Sequence, residues 1–188
     1  IENYSGDKPV PVLQTSRLLC RPLTENDWTF FLTLQQNPDV MRFVADARTE
    51  EEIRTAFDSR LPEWFPGSPH WLCLLLCDKT SGAPLGVTGY IQESNECAEV
   101  GFLLAPEAQG KGYGAESLHA VCEYAFASGG LRRLTACVTA GNEASRRLLE
   151  KIGFIHEGTL RASYWLHHTW HDDWIFGLLK QEYQPPTA

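Results

Sequence analysis

No stretch of this sequence approaches the run of roughly 20 apolar residues that a membrane-crossing helix needs, so the expectation is a soluble domain with no membrane partner. Positive charge is also scarce: 16 Lys and Arg stand against 24 Asp and Glu, for a net charge of -8. Phosphates attract basic faces, so this balance speaks against nucleic acid and leaves room for a cationic ligand such as an amine. The six cysteines, Cys20, Cys73, Cys77, Cys97, Cys122 and Cys137, include no CxxC pair and mostly sit in apolar runs. They read as reduced core thiols rather than a disulfide framework, which is a device of much smaller chains, and so the expected location is the cytoplasm. No GxxxxGK[ST] loop occurs, and neither does an internal repeat or a low-complexity tract.

What is present suits one globular domain: 188 residues, 43% of them apolar and 21% charged. The chain begins with Ile, which leaves its true start open. Residues 1–16 mix Gly6, Pro9 and Pro11 with polar residues and read as an irregular arm. Residues 17–183 form the expected single domain, and residues 184–188 a tail. Arg17 to Leu23 reads as a strand, and Thr24 with Asp27 as the cap of a helix through Trp28, Phe31, Leu32 and Leu34. Thr49 to Glu52 has the form of a capping box ahead of Ile53, Ala56 and Phe57. His70 to Cys77 and Leu85 to Gln92 read as a hairpin, and Cys97 to Ala105 as a further strand. Leu118, Val121, Cys122, Ala125 and Phe126 recur at helical spacing. A strand over Arg132 to Thr139, a helix over Asn142 to Ile152 and two strands near 154–164 and 170–180 complete the order.

Between the strand ending at Ala105 and the helix through Leu118 lies Gln109-Gly110-Lys111-Gly112-Tyr113-Gly114. A strand, a glycine-rich loop and a helix start bring free backbone N–H groups and the positive end of a helix dipole to one point, which attracts phosphate. Glycines let the backbone approach an anion closely, and Lys111 adds an exposed charge. The plain alternative is a tight connection that needs flexible residues. Gly110-x-Gly112-x-x-Ala115 also matches the dinucleotide-binding fingerprint. The next strand, however, ends in Thr139-Ala140-Gly141-Asn142 without an acidic residue for a ribose, and too little chain follows for a second half.

These motifs resemble the GNAT superfamily of N-acetyltransferases, particularly the branch that includes the ribosomal-protein N-terminal acetyltransferases. That family's coenzyme loop reads [QR]xxGx[GA], which Gln109 to Gly114 satisfies after the strand and proline of Glu99 to Pro106. Asn142-Glu143-Ala144-Ser145, a helix, and Lys151-Ile152-Gly153-Phe154 with Glu157-Gly158 resemble the branch's ending, and the likeness runs from Arg17 to Tyr183. It implies an α/β (α+β) fold: a mixed, strongly twisted sheet of about seven strands flanked by about four helices, with a splayed parallel strand pair holding acetyl-CoA. The backbone of Phe102, Leu103 and Leu104 would pair with the pantetheine arm, Gln109, Gly110, Lys111, Gly112, Tyr113, Gly114 and Ala115 would hold the pyrophosphate, and Asn142 would face the coenzyme from the far side. The implied reaction moves an acetyl group from acetyl-CoA to a primary amine of a small molecule or a protein N-terminus, by a monomer or homodimer. The alternative is an acyl-CoA-binding sensor without turnover.

A protonated amine is no nucleophile, so the site needs a base, and the departing thiolate an acid. Glu99, on the strand beside the implied coenzyme, is the candidate base or ammonium binder. Related enzymes often place Tyr where this chain has Leu149; Ser145 is then the nearest hydroxyl and the candidate acid, or else a helix-start hydrogen-bonding residue. Some relatives carry Glu where Cys137 or Tyr164 stands here. His167, His168, His171, Asp172 and Asp173 match no common zinc spacing and read as a polar hairpin, so no metal is expected. Trp64, Phe65, Trp71, Trp165 and Trp170 read as core or hairpin packing, with some available for a substrate pocket, and the resemblance implies that the early helices near Trp28 and Met41 build the acceptor side.

Overall fold

The computed structural model describes residues 11–187. Its centre is β3 (Leu72–Asp78), whose Leu-Cys-Leu-Leu-Leu-Cys run is buried on both faces and therefore shows no alternation. Leu72, Leu74 and Leu76 pack with α4 (Tyr113–Ala127) and α5 (Glu143–Ile152) on one side. Cys73, Leu75 and Cys77 pack on the other with α1 (Trp28–Gln36) and α3 (Glu50–Ser59). Around β3 the strands run β1 (Leu13–Gln14), β2 (Leu18–Pro22), β3, β4 (Pro84–Gln92), β5 (Cys97–Leu104), β6 (Arg133–Thr139), β8 (Thr169–Leu179) and β7 (Ile155–Leu166). All neighbours are antiparallel except β5 and β6. All six cysteines are free thiols.

The expected mixed α/β sheet with its parallel pair is present. Two small elements exceed the expected number: β1, and the one-turn helix α2 (Pro38–Met41) capped by Asn37. Of the expected arm, residues 1–10 lie outside the described residues, and Leu13 and Gln14 pair with Cys20 and Leu19. The Thr49 box forms as read: Thr49 Oγ1 accepts from the Glu52 N–H, and the Thr49 N–H donates to Glu52, both at 3.1 Å. At the entry to α1, Asp27 is buried and takes two 2.9 Å hydrogen bonds from Arg21 on β2. Burial alone would raise this carboxyl's pKa, but the bonds from Arg21 and Thr24 outweigh it and hold it below the usual range.

The decisive irregularity is in the parallel pair. β5 and β6 are joined through Cys97 with Arg133, Ala98 with Leu134 and Glu99 with Thr135, and there the pairing ends. β5 continues to Leu104 against β4, and β6 to Thr139 against β8, so the two strands part beyond Glu99. Right-handed twist accumulates across a sheet, and with no further ladder bonds the strands diverge.

Candidate active site

Two cavities open into the gap, of about 400 and 480 Å³. They share Phe102 and Leu103 of β5, Asn142 and Ser145 at the start of α5, and Phe43 and Val44 from the segment after α2. The larger runs toward α4 and is lined by Leu104, Gln109, Gly110, Gly112, Gly114 and Ala115, with Arg42 and Lys151 alongside. Gly110 and Gly112 adopt φ of +74° and +83°, and Gly112 caps α4 without any side-chain acceptor for the first N–H groups. An α-helix leaves these donors without internal partners, so the cavity meets the positive end of a 15-residue helix and two cations. That donor set suits a long ligand bearing phosphates.

The loop is fixed from outside by Arg17, which sequence reasoning assigned no role. Its guanidinium donates to Lys111 O at 2.9 Å and to Glu116 at 2.8 Å, and it lies 4.3 Å over the Tyr113 ring. Thr15 also hydrogen-bonds Glu116. Burial alone would raise the Glu116 pKa, but these bonds lower it below the usual range, so it remains an anion for Arg17. Lys111 and Tyr113, expected among the anion-binding residues, line neither cavity; the Lys111 carbonyl and the Tyr113 ring meet Arg17. Arg17 lies 94 residues before Lys111 in the chain, and no local pattern links the two.

The smaller cavity lies on the α1 and α3 face. Ala98 and Val100 point into the core on the α4 side, so Glu99, Gly101 and Leu103 point the other way. Glu99 lines this cavity at the point where the ladder ends. Burial, with Glu93 adding, pushes its carboxyl above the usual range, which makes it a better proton acceptor. Asp173, read from the sequence as part of a polar hairpin, also lines the cavity, opposite Thr139 of β6. Cys137 sits nearby, its thiol pushed up to about 12 by burial and by the Asp173 and Glu99 carboxylates, so it remains a thiol at neutral pH. Trp71 covers Gly101, where a Cβ would lie 3.1 Å from the indole. Met41 lines the cavity, whereas Trp28 packs on Phe57 and is not among the residues that line it.

Ser145 stands where the cavities meet. The Asn142 side chain accepts from the Ser145 N–H at 3.3 Å, so Asn142 caps α5 while also lining both cavities. Tyr164 donates from its hydroxyl to Val44 O at 2.5 Å, and the β7–β8 turn adds bonds from the His167 N–H to Asp46 at 2.9 Å and between the His167 ring and Arg42 O at 2.8 Å. These contacts hold residues 42–46 against the gap. His171 and Asp172 bond backbone groups, and no cluster of three or more metal-ligating side chains occurs among the described residues. Among the described residues, no helix is long and apolar enough to cross a membrane.

A splayed sheet with an uncapped helix start on one side and a carboxylate-bearing cavity on the other has the two adjoining sites that a group-transfer enzyme needs. Residues 17–155 match the acetyltransferase (GNAT) domain model, and the chain belongs to the GNAT acetyltransferase family, whose reaction is acetyl transfer to amines. It is 28% identical to the uncharacterized N-acetyltransferase YoaA of Bacillus subtilis strain 168, over 90% of this chain and 97% of that protein. It is 29% identical to a spermidine N(1)-acetyltransferase of Vibrio cholerae, over 89% of this chain and 96% of the relative. A crystal structure of spermidine N-acetyltransferase from Vibrio cholerae with CoA and spermine shares the fold, with a TM-score of 0.79 at 21% identity over 90% of this chain and 99% of that one.

Proposed function

We propose that the larger cavity takes acetyl-CoA, that the smaller takes a primary amine, and that Glu99 and Ser145 serve the transfer between them. The supporting observation is the end of β5–β6 pairing at Glu99, which leaves an unpaired strand edge between two cavities that share Ser145. The free edge from Phe102 to Leu104 would bind the pantetheine arm as an added strand does, and the α4 start with Arg42 and Lys151 would bind the phosphates. When bound, acetyl-CoA supplies the acetyl group as an activated thioester. Glu99 takes a proton from the ammonium, directly or through water, and frees the nitrogen lone pair. Ser145 Oγ holds a proton where the departing sulfur would need one. Six free thiols suit the reducing cytoplasm as the place of action.

The acceptor is a small-molecule amine or a protein N-terminus. Incubation with acetyl-CoA, a thiol reagent and a panel of polyamines, amino acids and peptides tests both parts of the reading. Acceptor-dependent CoA release supports it. Tight acetyl-CoA binding without transfer to any acceptor would favour a sensor instead.

A further inference from the structure

The smaller cavity contains two arginines that acetyl transfer itself does not require. Arg48 precedes the N-cap of α3 and Arg60 is its C-cap, and both line the same cavity. Among the described residues neither forms an ion pair. The half-buried Arg60 donates, among the described residues, only to Ala56 O at 2.8 Å and to Ser59 Oγ at 3.5 Å, and its guanidinium lies 5.9 Å from the Phe31 ring centre. Burial, with Arg48 adding, holds it below the usual arginine range against a smaller opposite effect of Cys73. A guanidinium withdrawn from water without a counterion retains an unmet demand for an anion.

The two carboxylates in this cavity do not meet that demand. Glu99 projects from β5 and Asp173 from β8, and neither pairs with Arg48 or Arg60 among the described residues. Arg60 shares its wall with Cys73 of β3, and β3 is separated from β5 by β4. Two strand spacings, about 10 Å, therefore lie between the backbone that carries Glu99 and the strand next to Arg60. The cavity is acidic where Glu99 and Asp173 face the gap and basic at Arg60 beside β3, with Arg48 close to both Arg60 and Tyr164. A polyamine would bring a second ammonium toward Arg60, which has no ion-pair partner among the described residues, and toward Arg48 beside it, and Coulomb repulsion disfavours this.

We infer that the preferred acceptor is an amine that also carries a carboxylate, with its ammonium end at Glu99 and its carboxylate held by Arg48 and Arg60. This rests on reading the smaller cavity as the acceptor side. The planar guanidinium fork matches a carboxylate through paired charge-assisted hydrogen bonds, a geometry an amide cannot reproduce.

The test compares kcat/KM at saturating acetyl-CoA for 6-aminohexanoate against 6-aminohexanamide, β-alanine against β-alaninamide, and spermidine. The expected result is a preference of about tenfold or more for the better acid over its amide, with spermidine used less well. Arg60→Gln and Arg48→Gln should each reduce that preference by raising KM for the acid. Arg48 is exposed, so its variant keeps the test in force if Arg60→Gln fails to fold. Equal use of acid and amide, better use of spermidine, or an undiminished preference in Arg48→Gln overturns the inference while leaving acetyl transfer standing. If no acceptor turns over, calorimetric titration of 6-aminohexanoate and its amide into CoA-saturated protein decides. Preference for the acid that depends on Arg48 then supports the anion site although the catalytic reading is lost, and its absence overturns the site as well.

Discussion

Glu99 meets two demands that single residues seldom meet together: it is withdrawn from water, yet it lines a cavity open to a ligand. Because its pKa is raised, the basic form is lost as pH falls through a value above the ordinary carboxylate range. The rate of chemistry should fall with it on the acid side. Glu99→Gln should lower the single-turnover rate by roughly 10²-fold, with partial recovery at high pH where the amine deprotonates unaided. Rates across pH with both substrates saturating check this; an unchanged profile would remove Glu99 from the chemistry. Gly112 is the corresponding residue on the donor side. A side chain there would be strained at φ +83° and would place its Cβ 3.2 Å from Arg17 Nη2. Gly112→Val should weaken acetyl-CoA binding by about tenfold or more, measured by calorimetry on protein shown to be folded.

Elements with local signatures were legible. The Thr49 box and the strand-loop-helix around Gly110 each use residues within a few positions of one another. The small pieces were not: α2 is one turn introduced by Pro38, which reads as a break, and β1 has two residues inside a stretch with no period. Pairing between β5 and β6 leaves no trace in either segment, because its end depends on twist and not on a breaking residue. The Arg21–Asp27 pair that joins β2 to α1 also had no visible pattern, although Asp27 was identified as part of the cap. Arg21→Ala would leave that buried carboxylate without its main partner. The expected loss is about 2 kcal/mol at neutral pH, less than for a fully buried pair because Arg21 is partly exposed. Urea denaturation should show it. The folded pKa of Asp27 is depressed, so this contribution is present above the unfolded value and lost as pH falls through the folded one. The difference between wild type and variant should therefore shrink in acid.

For the whole molecule, the larger cavity was legible and the smaller largely was not. Gln109 to Ala115 lie together in the chain, whereas the smaller cavity gathers Phe31, Arg60, Trp71, Glu99, Cys137 and Asp173 from six separate segments. Asp173 had been grouped with its sequence neighbours His171 and Asp172, and only the β8 register shows that it faces the gap. Closure of the site also depends on distant residues: Tyr164 reaches Val44 across 120 positions. Tyr164→Phe should raise the acceptor KM and speed amide hydrogen exchange over Val44 to Asp46, with a stability loss of about 1 kcal/mol. Exchange unchanged over that segment would show that the hydroxyl does not restrain it.

The parting of β5 from β6 also bears on how such a protein can change over generations. If the larger cavity takes the donor as proposed, the free β5 edge and the α4 start meet it largely with main chain, which every amino acid supplies, so the demand on sequence reduces to a few positions where a side chain would intrude. The smaller cavity is walled instead by side chains, and those of Arg48, Arg60, Tyr164 and Asp173 can change without altering the β5–β6 register that opens the gap. On that reading a lineage exchanges one acceptor for another by changing those side chains while its donor stays the same. Kinship across nearly the full length of this chain then says much about what is given and little about what receives it.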